Sequence, residues 1–172
     1  MDILIDQDTL ATRITSLGRE IREAHGEDAS IVAICVLKGS VLFFADLVRA
    51  IGGDVRLEFL GVSSYEGTSS TGEVRITHDL RTEIRGRHVV VVEDIVDTGL
   101  TLSFLLKALR VRDPASLTVA ALLDKPSKRT VDVHADHVGF SIDDHFVIGY
   151  GLDLDEKYRN LPFVAIYRPG VG

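Results

Sequence analysis

The sequence predicts an α/β fold with a mainly parallel central sheet, and three observations carry that prediction. Two apolar runs, IVAICVL (31–37) and RHVVVVED (87–94), have the composition of strands buried on both faces. Each is followed within a few residues by a segment of helical periodicity, VLFFADLVRAI (41–51) and LTLSFLLKALRV (100–111). Strands that alternate with helices build parallel sheets through right-handed crossovers. Finally, four polar breaks fall at the carboxyl ends of predicted strands: KGS after 37, SSYEG after 62, EDIVDTG after 92 and DKPSKR after 123. Open parallel sheets bind ligands beyond those ends.

In chain order, Leu10, Ile14, Leu17, Ile21 and Ala24 recur at gaps of four and three, which predicts a helix over 9–25. Asp8 is its expected N-cap. Gly52-Gly53 closes the second helix. VRLEFLGV (55–62) and EVRITHD (73–79) alternate as strands do, and the Ser/Thr/Gly-rich stretch between them is predicted to be a loop. The third helix ends at RDP, SLTVAALLD (116–124) is a further strand, and short strands at 137–142, 146–150 and 163–167 complete the tail.

The 172 residues, 45% hydrophobic and 26% charged, suit one domain with an ordinary core. No leader peptide is expected, because MDILIDQDTL is acidic and its apolar run is short. No stretch reaches the ~18 apolar residues of a membrane span. The lone cysteine, Cys35, excludes an internal disulfide and fits the cytoplasm. Inside IVAICVL it reads as a small buried hydrophobe. A net charge of −7 argues against nucleic acid as a partner. It leaves a small anionic substrate open, since local Lys, Arg or a divalent cation can reverse the field in a cleft.

The stretch VVVVEDIVDTGLTL (89–102) concentrates the chemistry. A turn leading into a helix offers unpaired N–H groups and the positive end of a dipole, and so can hold a phosphate. Gly99 permits close backbone approach, and Thr98 and Thr101 add hydroxyls. Three acids beside a phosphate would repel it unless they face ribose hydroxyls or a divalent cation. The stretch therefore reads as a ribose-phosphate cradle. The simpler alternative is a helix capped by Asp97 with two solvated acids.

VVVVEDIVDTGLTL resembles the ribose-phosphate signature of phosphoribosyltransferases, and within them the bacterial hypoxanthine-guanine enzymes. LKGS (37–40), SSY, DKP and GYGLDLDEKYRNLPF add separate motifs in the same order, so the likeness spans almost the whole chain. It implies the type I phosphoribosyltransferase fold, with a hood built from the N-terminal segment and about 125–172, and a lid at 63–73. It implies transfer of 5-phosphoribosyl from phosphoribosyl pyrophosphate to N9 of a 6-oxopurine, with Mg²⁺ as cofactor. A homodimer or homotetramer is implied as well.

By that resemblance, Lys38, Gly39 and Arg159 would bind pyrophosphate, and Leu37–Lys38 would be a cis peptide. Taken alone, KGS is as readily a plain turn. Glu93 and Asp94 would face the ribose hydroxyls and, with Asp153, the Mg²⁺. Asp97 would be the acid or base at purine N7. Ile95, Val96, Asp97, Thr98, Gly99, Leu100 and Thr101 would wrap the ribose 5′-phosphate. Lys125 would reach the 6-oxo group, although alone it reads as one more exposed lysine of a basic turn. Phe146 would stack on the purine, Val147 would meet its edge, and Asp153 would lie near the 2-amino group. Ser64 and Tyr65 would belong to the lid. Arg129 would approach pyrophosphate.

Asp143 stands where the family has Pro, which is expected to loosen the turn before Phe146. The segment 67–72 has Walker A spacing, but Glu73 replaces the required lysine. HADH (134–137) lacks further ligands at zinc-site spacing. The alternatives carried forward are a xanthine-preferring enzyme and a nucleic-acid-binding regulator on the same fold.

Overall fold

A computed structural model describes residues 1–65 and 73–170. The elements run β1 (Asp2–Ile5), α1 (Gln7–His25), β2 (Ile31–Leu37), α2 (Val41–Ile51), β3 (Val55–Tyr65) and β4 (Glu73–His78). They continue with β5 (His88–Val96), α3 (Leu100–Arg110), β6 (Ser116–Asp124), β7 (His137–Ser141), β8 (Val147–Ile148) and β9 (Val164–Ile166). A single 3₁₀ turn, Pro126–Lys128, lies between β6 and β7. The α/β fold with a mainly parallel central sheet is what the sequence predicts. Residues 66–72 of the expected lid, with the Walker-like spacing, lie outside the described residues, as does the Tyr65 side chain.

Six strands form one sheet in the order β4-β3-β2-β5-β6-β7, parallel throughout except at the β3–β4 pair. β1, β9 and β8 form a separate antiparallel sheet. The central strands feed two cores. Ala33, Cys35, Val90 and Val92 pack with α1, α2 and the small-sheet residues Val147 and Val164. Val32, Ile34, Val89 and Val91 pack with Leu102, Leu105, Leu106 and Leu109 of α3. A strand covered on both faces must be apolar at successive positions, which is why these two runs are so readable. Each fully buried Val, Leu or Ile contributes ~1.5–3 kcal/mol.

α1 starts earlier than predicted, and its N-cap is Asp6 rather than Asp8. Asp6 has the extended backbone that a cap needs, and its Oδ1 accepts from Thr9 N at 2.8 Å. Asp8 lies in the first turn, where it meets only the helix dipole. Asp6→Ala is expected to lower the urea midpoint measurably, and Asp8→Ala by clearly less. Equal losses would remove the cap from Asp6. At the other end, the buried Arg22 donates to the carbonyls of Gly26, Ala29, Ile51 and Gly52. It thereby satisfies the carboxyl ends of α1 and α2 together.

The order of the large sheet reverses between β2 and β5. The chain moves outward one way through β3 and β4, and the other way through β6 and β7. Such a switch leaves a crevice at the strands' carboxyl ends. Registers deepen it here. The β2–β5 ladder stops at Cys35↔Val92, whereas β5–β6 continues to Val96↔Asp124. The last residues of β5 are therefore supported on one side and open on the other. None of the described helices is long and apolar enough to cross a membrane.

Candidate active site

β5 runs on to Val96, two residues past its predicted end at Asp94, so Glu93 and Asp94 lie inside the strand and not at its tip. Val90 and Val92 pack toward α1 and α2, yet Val96 packs toward α3. Strict alternation would have kept all three on one face, so the phase slips across Glu93–Ile95. The slip falls where β5 has lost β2 as a neighbour. A cavity of about 260 Å³ occupies this place, lined by Leu37, Gly39, Glu93, Asp94, Asp97 and Thr101 among others.

The electrostatics are unusual for a folded core. Glu93 is only 6% exposed, and no described residue supplies an ion pair or hydrogen bond to its carboxylate. Burial, then the charges of Asp94 and Asp97, push its pKa well above the ordinary carboxylate value. Asp94 is pushed up to about 6, chiefly by burial. The Ile95 N–H, which donates to it at 2.8 Å, works against that rise. Arg159 also works against the rise at Asp94, but neither acid is in a salt bridge with a described residue, and two such neighbouring carboxyls with raised pKa values suit a cation or hydroxyl donors. Among the described residues, no three His, Cys, Asp or Glu side chains converge as a ready metal cage. Magnesium commonly uses one or two carboxylates and completes its shell with water and substrate oxygens, so Glu93 and Asp94 fit such an ion. Cys35, beneath them, is pushed up to about 12, first by burial and then by these two acids. It is the inert buried thiol expected from the sequence.

The turn after β5 is held from behind. Asp97 is not the helix cap; its Oδ1 accepts from Thr98 N at 2.6 Å. Gly99 caps α3 instead, at φ 84, and has no side chain with which to bond the helix's first N–H groups; of these, Leu100 N–H donates to Thr98 Oγ1 at 3.4 Å. A Cβ on Gly99 would lie 2.4 Å from Val133 Cγ1, so the turn is pressed against the segment after β6. That segment also bonds the turn directly, through Lys125 N to Val96 O at 2.9 Å and Thr130 N to Thr98 O at 3.0 Å. Arg129 was expected near pyrophosphate. It instead donates to the Asp97 carbonyl at 2.6 Å and pairs with Asp124, holding the loop that carries Asp97.

Lys125 is not the exposed lysine that its local sequence suggests. It is 8% exposed, donates to the His145 carbonyl and lies 3.5 Å from Asp144. Phe146 is the opposite case, with 54% of a large apolar side chain exposed. Its ring meets Tyr167 edge-on at 6.0 Å, and Tyr167 lies 6.4 Å from Tyr158. This aromatic support has no local sequence signal. β8 is an edge strand, and Tyr167 N donates to Phe146 O at 2.8 Å. Val147, opposite Ile166, therefore turns its own N–H and C=O away from β9. Asp143 does not open the turn, because His145 N closes on the Asp143 carbonyl at 2.7 Å.

Leu37–Lys38 is a cis peptide. Gly39 sits in a tight stack, since a Cβ there would lie 1.8 Å from Asp94 Oδ2, and one on Gly151 would lie 2.0 Å from Gly39 O. Both positions require glycine. The 149–159 segment thus abuts the loop after β2, with Gly151 as a contact that sequence reasoning missed. Arg159 donates to Gly151 O at 2.7 Å and pairs with Asp153 at 3.1 Å. Lys38 pairs with Glu156 at 3.0 Å. Ser64 is exposed at the end of β3.

Residues 2–156 match the model of the phosphoribosyl transferase domain. A solved hypoxanthine-guanine phosphoribosyltransferase from Bacillus anthracis superposes with a TM-score of 0.93 at 46% identity, covering 98% of this chain and 99% of that one. The chain belongs to the phosphoribosyltransferase family. Its relatives lie in the purine branch. The hypoxanthine-guanine phosphoribosyltransferase of Bacillus subtilis is 44% identical, over 98% of this chain and 94% of its own. The hypoxanthine-guanine-xanthine phosphoribosyltransferase of Tritrichomonas foetus is 46% identical, over 98% and 92%.

Proposed function

We propose that this protein is a purine-salvage enzyme that transfers 5-phosphoribosyl from phosphoribosyl pyrophosphate to N9 of hypoxanthine and guanine, releasing pyrophosphate. The observation that carries this reading is the buried Lys125, bonded through its backbone to Val96 beside the acidic loop. An ammonium donates and cannot accept, so it suits a 6-oxo group and not a 6-amino group. The Bacillus subtilis and Tritrichomonas foetus relatives are both hypoxanthine-guanine enzymes by name, the second with xanthine added, which supports the same reading.

In this reading the open N–H groups at the start of α3, with Thr98, Gly99 and Thr101, take the 5′-phosphate, while Ile95, Val96 and Leu100 shape the turn. Glu93 and Asp94 orient the ribose hydroxyls. Lys38, Gly39 and Arg159 hold the pyrophosphate. Phe146 stacks on the purine, and the free backbone groups of Val147 meet its edge. Glu93, Asp94 and Asp153 would hold Mg²⁺, which when bound neutralises the departing diphosphate. As the C1′–oxygen bond breaks and the C1′–N9 bond forms, Asp97 accepts the proton from purine N7. The small sheet β1-β9-β8 serves as the hood, and Ser64 and Tyr65 belong to a lid that excludes water.

Pyrophosphate release with hypoxanthine, guanine, xanthine and adenine, in the presence of Mg²⁺, tests this. Turnover of the 6-oxopurines is expected. Turnover of adenine alone would overturn the substrate assignment, and a marked preference for xanthine would favour the runner-up. No turnover of any purine would favour a regulator, against which the net charge of −7 already counts. Lys125→Met is expected to raise the KM for hypoxanthine by about 10–100-fold, the worth of a charged hydrogen bond. The KM for phosphoribosyl pyrophosphate should change little, and an equal rise in both would remove Lys125 from purine recognition. A cytoplasmic homodimer or homotetramer belongs to the same reading, and light scattering checks the assembly.

A further inference from the structure

We propose that Glu156 sets the affinity of this site for its diphosphate: its carboxylate occupies the two pyrophosphate-binding cations when substrate is absent, and the entering diphosphate displaces it. The proposal rests on the reading of Lys38 and Arg159 as the pyrophosphate residues.

Each oxygen of Glu156 takes one of those cations, Oε2 at 3.0 Å from Lys38 Nζ and Oε1 at 3.1 Å from Arg159 Nη2. Among the described residues, Lys38 Nζ has no other partner. Arg159 is divided. Its Nη1 is anchored to Gly151 O and Asp153, while Nη2 faces Glu156 and the buried Nε has no partner among the described residues. Loss of Glu156 would thus free one edge of the guanidinium without releasing Arg159 from its place. A diphosphate presents the same anionic edge to that fork, with more charge.

The arrangement is built into the backbone. Asp155, Glu156 and Tyr158 hold φ values of 51, 62 and 75, in the left-handed region that residues other than glycine rarely adopt. Glu156 N donates to Asp153 Oδ2 at 2.9 Å, which ties the residue to the same acid that Arg159 pairs with. Both Lys38 and Glu156 are largely exposed, at 68% and 63% of their side chains. An exposed ion pair is weak enough for substrate to break, and conversion of Glu156 to a neutral group leaves the core untouched.

The test is titration calorimetry of magnesium pyrophosphate with the full chain and with Glu156→Gln. The variant is expected to bind about three- to tenfold more tightly, as befits one exposed pair and one partly buried pair. Measured against Lys38→Met alone, that gain should shrink, because only the Arg159 pair is then left to displace. Equal or weaker binding by Glu156→Gln would overturn the proposal and make Glu156 a support of the site. Binding to neither protein would overturn both the proposal and the pyrophosphate assignment. Purine turnover with unchanged pyrophosphate affinity would sink the proposal and leave the function standing. Tighter binding without any purine turnover would do the reverse.

Discussion

Asp97→Asn is expected to lower kcat by about 10²–10⁴-fold, the usual contribution of a positioned acid or base. The affinity for phosphoribosyl pyrophosphate should stay within a few-fold of the parent. The two halves of this expectation have separate structural grounds. Asp97 holds its own turn by accepting from Thr98 N at 2.6 Å, and an amide oxygen accepts that bond as well. Arg129 grips the residue through its backbone carbonyl, which the substitution does not alter. The turn at 97–101, to which the proposed function assigns the phosphate, therefore keeps its shape. What Asn cannot do is take a proton. Steady-state kinetics with hypoxanthine, together with direct binding of phosphoribosyl pyrophosphate, separate the two. Unchanged turnover would remove Asp97 from the chemistry. A parallel loss of binding would mean that its role is to hold the turn.

The parts of this molecule that were readable beforehand share a physical property: their determinants are local. β2 and β5 are buried on both faces, so nearly every residue has to be apolar, and no knowledge of partners is needed. The turn at 97–101 declares itself by glycine and hydroxyls. The unreadable parts depend on contacts far along the chain. β1 exposes three of its four residues and exists because β9, more than 150 residues away, pairs with it. Lys125 sits in a polar stretch, and its burial is decided by His145 and Asp144. Gly151 and Glu156 gain meaning only because Gly39 and Lys38 stand opposite them. The choice between Asp6 and Asp8 as N-cap turned on backbone angles that two nearby acids do not encode. Arg129 shows the remaining gap. A cation beside an anion site suggests direct binding, whereas here its fork is taken up by Asp124 and a carbonyl.

The acids that make the site useful also work against the fold, and Asp94→Asn is expected to expose that conflict. In the folded chain Asp94 retains its proton up to about pH 6, against 3.8 for an ordinary aspartate. Between those values the folded state binds more protons than the unfolded one, so stability falls as pH rises through the window. Below it the carboxyl is neutral in both states and the penalty is absent. Above pH 6 the penalty is complete, on the order of 1–3 kcal/mol. Asn is neutral throughout, and its amide oxygen can keep the bond from Ile95 N. The variant should therefore melt higher than the parent at pH 8, by about 2–4 °C for each kcal/mol recovered. The difference should shrink as pH drops toward 4. Turnover should fall, because the group that the proposed mechanism sets against ribose hydroxyls and Mg²⁺ has lost its charge, and Mg²⁺ with phosphoribosyl pyrophosphate should raise the parent's melting temperature more than the variant's. Activity and stability are thus expected to move in opposite directions at one residue. A variant that melts lower than the parent at pH 8, or a difference that does not depend on pH, would mean that Asp94 supports the fold and carries no such penalty.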